Sequence, residues 1–218
     1  SLLREVLGQP RDPANHAGQT MNLGLLHFTR WQLLKVPGDL EEAIALMEPV
    51  ARNAPVPPQA KLGFLLNLAT CLVERARAGI SHGEQAAADL DQADRLIATA
   101  YANSTFGGTI KALSCGAKAN AISARLDSRT TVEAIDEDIE LLEFCAALSA
   151  GHPRVQADVR AALARARAAR FTLGGQDEDF AAATADFTAI CEASRDPVEL
   201  FTESLAWAQW AEETQRWN

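Results

Sequence analysis

From residue 39 to residue 51 the chain reads Asp-Leu-Glu-Glu-Ala-Ile-Ala-Leu-Met-Glu-Pro-Val-Ala. Its apolar positions Leu40, Ala43, Ile44, Met47 and Ala51 fall at i, i+3, i+4, i+7 and i+11, which places one apolar stripe on an α-helix. Pro37-Gly38 stops whatever precedes this helix, Asp39 stands where a cap is expected, and Pro55, Pro57 and Pro58 end it. The stripe returns further on. Leu40 corresponds to Leu90, Ile135 and Phe180 at steps of 50, 45 and 45. Met47 corresponds to Ile97, Leu142 and Phe187, and Ala51 to Tyr101, Ala146 and Cys191. Extra residues in Gly79–Asp89, "GISHGEQAAAD", account for the longer first step.

A second series runs in parallel. Arg30, Arg75, Arg125 and Arg170 are spaced 45, 50 and 45, each near the end of the helix before a striped one. The first two of those preceding helices, "GQTMNLGLLHFTRWQLL" and "AKLGFLLNLATCLVERAR", are apolar on nearly every side, as expected of helices buried between layers. Each unit therefore reads as a hairpin of one inner helix, a short loop and one amphipathic outer helix. A single hairpin cannot bury its own apolar face, whereas stacked hairpins can, and a period of about 45 residues is that of a solenoid. The expectation is an all-α protein, a right-handed α-solenoid in one domain over residues 1–218. Its predicted hairpins cover 18–54, 59–103, 107–150 and 154–194. Residues 1–17 read as the tail of a preceding repeat and 198–218 as a last helix. No β-alternation is long enough to predict a strand.

Composition sharpens this picture. Ala, Leu, Glu, Arg and Gln are plentiful and aromatics make up only 6%, a helix-forming mixture in which small residues allow close packing. The formal net charge of −9 repels phosphate backbones, so nucleic acid is not an expected partner. No apolar run reaches the ~18–20 residues of a membrane-spanning helix, and no signal peptide is visible. Cys71, Cys115, Cys145 and Cys191 are too widely spaced for a zinc site or a CxxC pair and read as reduced core thiols of a cytoplasmic protein. The first residue is Ser, which reads as the start of a piece of something longer.

The stretch "PGDLEEAIALMEPV" resembles the helix B consensus of tetratricopeptide (TPR) repeats. "AGHPRVQADVRAALARARAARF" and "MNLGLLHFTRWQLLKVPGDLEEAI" resemble the long TPR-like repeats found ahead of CHAT domains, which are caspase-like proteases. The closing "DFTAICEASRDPVELFTESLAWAQWAEE" is similar to the last such repeat before the protease begins. The pattern Asn22-Leu23-Gly24 becomes Asn67-Leu68-Ala69 in the second unit and is lost in the third and fourth. The resemblance implies a regulatory, partner-binding region of a larger protein. HEAT-like arrays share the period and stay open as an alternative.

Chemistry on this scaffold is sparse. A CHAT protease uses a His-Gly and Cys dyad, and "SHGE" with His82 and "LSCG" with Cys115 imitate its pieces. His82 falls in a loop and Cys115 inside an apolar helix, without the rigid strand ends a nucleophilic dyad requires. His16 and His152 also read as loop residues, and no His or carboxylate cluster has ligand spacing, so no metal and no cofactor are expected. The Arg series reads either as helix-end cations meeting the dipole and the acid that opens the next helix, such as Asp39, or as a ladder for an acidic peptide. Asn22 and Asn67 sit one repeat apart, and a carboxamide that both donates and accepts suits a peptide backbone. They suit a bond to a neighbouring loop equally well. The acidic "EAIDEDIELLE" and the basic "RAALARARAAR" are expected to face each other, with Glu140 near Arg160 or Arg165. Trp207, Trp210 and Trp217 read as core and cap, with a partly exposed edge open to association.

Two functions follow from these residues. The first is a protein- or peptide-binding scaffold whose groove residues are Asn22, His27, Arg30, Asn67, Glu74, Lys111 and Lys118. The second is an enzyme or small-molecule receptor with an enclosed pocket drawn from His27, Arg30, Asn67, Glu74, Lys111, Lys118 and Asn120; no acid–base or nucleophile set converges for it, so a non-enzyme is expected.

Overall fold

A computed structural model describes residues 13–104, 108–193 and 197–214. Among the described residues there are nine α-helices, one 3-10 turn and no strand. The helices are α1 (Pro13–Leu34), α2 (Pro37–Asn53), α3 (Pro58–Arg77), α4 (Gly83–Ala102), α5 (Gly108–Arg125), α6 (Val132–Leu148), α7 (Pro153–Gly174), α8 (Asp177–Ala193) and α9 (Pro197–Glu213), and the 3-10 turn is Leu126–Ser128. No described helix is long and apolar enough to cross a membrane. The all-α expectation therefore holds.

Five helices start on proline: Pro13, Pro37, Pro58, Pro153 and Pro197. Proline at the first helical position has its φ already set and lacks only an N–H that would have had no partner there. This corrects two expectations. Pro37 opens α2 rather than stopping the helix before it, so Val36 is the cap residue and Asp39, buried, lies inside the first turn. Pro13 opens α1 five residues before the expected hairpin start, which places His16 in a helix and not in a loop.

The chain divides into two compact units, Ser1–Ala117 and Lys118–Asn218, and the division falls within α5. In the first unit α1 packs on α2, α2 on α3 and α3 on α4, and α1 also touches α3. The stripe faces inward as periodicity predicts: Leu40, Ala43, Met47 and Ala51 are buried on α2, and Leu90, Ala93, Ile97 and Ala100 on α4. The helix α3 is buried over much of its circumference, through Leu62, Leu65, Leu66, Leu68, Ala69, Cys71, Leu72 and Val73. The helices α1 and α2 approach closely at Gly24, where an added Cβ would stand 2.8 Å from Met47 Cγ and 3.3 Å from the Ala43 carbonyl oxygen.

In the second unit α6 packs on α7, α7 on α8 and α8 on α9, and the 3-10 turn lies against α7. The stripe recurs as Ile135, Ile139, Leu142 and Cys145 on α6, and as Ala183, Phe187 and Ile190 on α8. Phe171, Phe180, Phe187 and Trp210 form an aromatic core, with Trp207 stacked on Phe187 at 6.1 Å. Trp210 is thus interior and not part of an exposed edge, and Trp207 is half-buried; Trp217 lies outside the described residues. Among the large apolar residues described on α9, Leu200, Phe201 and Leu205 are exposed.

Two of the inter-helix turns have only two residues. At the end of α1, Lys35 adopts φ 52° and donates its N–H to the Trp31 carbonyl at 2.7 Å. At the end of α7, Gly175 adopts φ 68° and donates to the Phe171 carbonyl at 2.7 Å. Left-handed backbone suits glycine, so the first turn performs with a lysine what the last performs with the natural residue. The Lys35 ammonium lies over the Trp31 ring, 4.2 Å from its centroid, which adds a cation–π attraction in return.

Candidate partner-binding surface

Four arginine–aspartate pairs organise the charged surface. From the end of α1, Arg30 donates through Nε to Asp39 Oδ2 at 2.6 Å and through Nη2 to Oδ1. From α3, Arg75 donates through Nε and Nη2 to Asp89 at 2.8 and 2.6 Å. Arg129 grips Asp138 on α6 at 2.8 and 2.9 Å, and Arg170 on α7 grips Asp179 on α8 through Nε at 3.0 Å and through Nη2. Asp39, Asp89, Asp138 and Asp179 are all buried. A buried carboxylate requires such a partner, and the planar guanidinium fork supplies two donors at once.

The local sequence explains each pair. Arg30–Asp39 and Arg170–Asp179 span nine residues, because the turns between their helices are short. Arg75–Asp89 spans fourteen, because the turn after α3 is longer, and the bond persists across the extra five residues. In the second unit the expected Arg125 is replaced by Arg129. The helix α5 gives way to the 3-10 turn, and the acid has moved as well: Ala134 stands at the position of Asp39, and Asp138 lies one helical turn further on. Both partners shift by four residues and the nine-residue separation survives. Arg125 is half-buried and engaged elsewhere.

Electrostatics follow the geometry. Hydrogen bonds from Arg30 hold the Asp39 carboxyl below the usual carboxylate range, against the opposing effect of burial. Burial is the largest influence on Asp89 and works against its ionisation, but hydrogen bonds from Arg75 and Gln85 outweigh it and the net shift is downward. Arg75 and Arg170 also reach a second acid. Arg75 Nη1 donates to Glu41 Oε2 at 2.9 Å, and Arg170 Nη1 to Asp136 Oδ1 at 2.6 Å.

The predicted site residues separate into several environments. His27 and Arg30 converge on one acid: His27 Nδ1 lies 3.4 Å from Asp39 Oδ1, beside the Arg30 fork. Glu74 pairs with Arg77 on its own helix at 3.2 Å. The Lys111 ammonium stands 5.6 Å from the Tyr101 ring centroid, and Lys118 is half-buried with a partner of its own. Asn22 on α1 is exposed and Asn67 on α3 half-buried, and neither carboxamide bonds another described residue. Asn120 on α5 is half-buried. None of these residues lines the polar cleft of about 270 Å³ in the second unit, which is formed by Val132, Asp136, Arg170, Gly174, Gln176, Glu178 and Asp179.

The acidic and basic stretches do meet, through other residues than Glu140 with Arg160 or Arg165. Arg167 bonds Glu143 on α6 at 2.9 Å and also Asp186 on α8, while Arg165 bonds Glu203 on α9. The connection around Gly151 sets the register of α7 against α6, and it brings residues later in both helices together. Cys71, Cys115 and Cys145 are buried free thiols, and Cys191 is half-buried, 3.4 Å from the Ser204 hydroxyl. No group of His, Cys, Asp and Glu among the described residues is placed to hold a metal ion. No family model, curated protein or solved structure matches the chain.

Proposed function

We propose that this chain is a TPR-like helical-repeat scaffold that binds a peptide or partner protein, within the kind of regulatory region that precedes CHAT protease domains. The odd-numbered helices α1, α3, α5, α7 and α9 begin at residues 13, 58, 108, 153 and 197, steps of 45, 50, 45 and 44 that support a stack of hairpins in one register. The observation that carries the reading is the contrast between spent and unspent polar groups on the first two inner helices. Arg30 and Arg75 are committed to acids of the chain itself. Asn22 and Asn67, one repeat apart, keep donor and acceptor available among the described residues.

Panning a displayed peptide library against the purified chain tests this reading. Peptides enriched by the native chain should be lost by the Asn22→Ala/Asn67→Ala double variant while its thermal unfolding midpoint stays unchanged. Absence of enrichment, or enrichment indifferent to both substitutions, overturns it.

A further inference from the structure

The helix α6 carries apolar side chains on two faces. Ile135, Ile139, Leu142 and Cys145 are buried in the second unit. On the outward side Leu141 is 37% and Phe144 51% exposed, and Leu148 is half-buried one turn further on. The repeat does not require this side to be apolar: Phe144 stands where the other outer helices have Pro49, Thr99 and Ala189. Glu137, Leu141, Phe144 and Leu148 follow one another at steps of four, three and four, the 3.5-residue average of a seam on which a second helix seats.

The same side is acidic. Glu133 and Glu140, seven residues apart, flank the seam, and Glu137 stands in it. All three are exposed, and none has a partner among the described residues. The helix dipole explains Glu133, since it favours an acid in the first turn, whereas Glu137 and Glu140 lie beyond its reach. By contrast Asp136 and Glu143 are taken up by Arg170 and Arg167 of α7.

We infer that this outward side of α6 is a docking site for a basic amphipathic helix of a partner protein. The exposed apolar seam calls for an apolar cover, and the three unpaired carboxylates beside it call for bases. A second copy of this chain brings the same acids and no base to this side, and its net charge of −9 opposes the approach. The partner helix lies along α6, sets its own apolar seam on Leu141, Phe144 and Leu148, and places lysines or arginines on Glu133, Glu137 and Glu140. The site lies within the second unit and stands whether or not the carboxamides of Asn22 and Asn67 hold a peptide.

The probe is a capped peptide of three heptads, with leucine at both seam positions and lysine at the flanking ones, titrated into the full chain labelled with nitrogen-15 and followed by amide chemical shifts. Expected shifts centre on residues 133–148 and saturate. Phe144→Ala weakens binding at least about tenfold, while the thermal midpoint holds, because an exposed residue gives way to a better helix former. Glu133→Gln/Glu137→Gln/Glu140→Gln weakens binding about tenfold and removes most of its salt dependence. The equal-charge control Glu84→Gln/Glu178→Gln/Glu212→Gln, at exposed acids of three other helices, leaves binding unchanged, and a peptide with glutamate in place of every lysine does not bind. The inference fails if no shifts appear on α6 at millimolar peptide, or if Phe144→Ala or the α6 triple variant binds as the native chain does. Equal weakening by the two triple variants assigns the attraction to net charge and overturns it, as does equal binding of the acidic peptide. A clear fall in the midpoint of Phe144→Ala makes Phe144 a core residue, and α6 shifts that follow chain concentration alone assign the face to a second copy; either result overturns the inference as well.

Discussion

Arg129 and Asp138 keep the nine-residue separation of Arg30 and Asp39, yet each stands one helical turn beyond its repeat position. A pair that moves together is a pair whose bond matters more than its place. Arg129→Gln and Asp138→Asn are each expected to lower stability, Asp138→Asn by about 2–3 kcal/mol because the carboxamide keeps one acceptor for the arginine, loses the charge and turns a donor toward the other guanidinium nitrogen. The double variant should fall short of the sum by about 1 kcal/mol, read from urea unfolding as a double-mutant cycle. Strict additivity would show the contact to be idle.

Asp39 and Asp89 set the acid side of the stability profile. Both have folded-state pKa values depressed below the ordinary carboxylate value, so the folded state binds fewer protons than the unfolded chain. Their contribution is complete above the unfolded value near ~4 and is lost as pH falls through the lower folded value. The thermal midpoint should be flat from pH 7 to about 5 and drop below about 4. Asp89→Asn should lower the neutral plateau and make the acid drop shallower.

Gly24 is placed by contact, not by backbone conformation. Gly24→Ala gains about 1 kcal/mol of helix propensity, but the new methyl collides with Met47 and presses on the Ala43 carbonyl. A net loss of about 1 kcal/mol is expected, a fall of about 2–4 °C in the thermal midpoint for a chain of this size. The double variant Gly24→Ala/Met47→Ala should lose less than the two single losses combined, since the shorter side chain makes room.

The thiols should react in a fixed order. Burial pushes the Cys71 thiol up to about 12, and Cys115 and Cys145 are also buried, whereas Cys191 is half-buried. Thiolate is the reacting species, so iodoacetamide at pH 8 should label Cys191 first and Cys71 only after unfolding, as mass spectrometry of the native chain would show. Early labelling of Cys71 would mean that the α2–α3 contact opens readily.

Much of the fold was legible from spacing. Leu40, Met47, Ile97, Leu142 and Phe187 declared their burial through 3.6-residue periodicity, and the excess residues after α3 showed in the longer first step of the stripe. The Arg series located three of the four clamps. It missed Arg129 because Arg125 holds the strict repeat position; the available warning was Ala134, which stands where the others have aspartate. Registers between helices were less legible. Glu143 and Arg167 meet where Glu140 with Arg160 or Arg165 was expected, because the turn around Gly151 fixes the offset and its conformation is not written in periodicity. Leu26 reads like every other core leucine, yet it is 54% exposed where its counterpart Cys71 is buried.

Arg75 fastens three helices with one side chain, holding Glu41 of α2 and Asp89 of α4 from its seat on α3. Such a rivet makes neighbours fail together: neither hairpin can peel away without stranding a charge against the other. Protons on the backbone of α2 and α4 would then trade with solvent as one cooperative block, and freeing Arg75 would split that block into two.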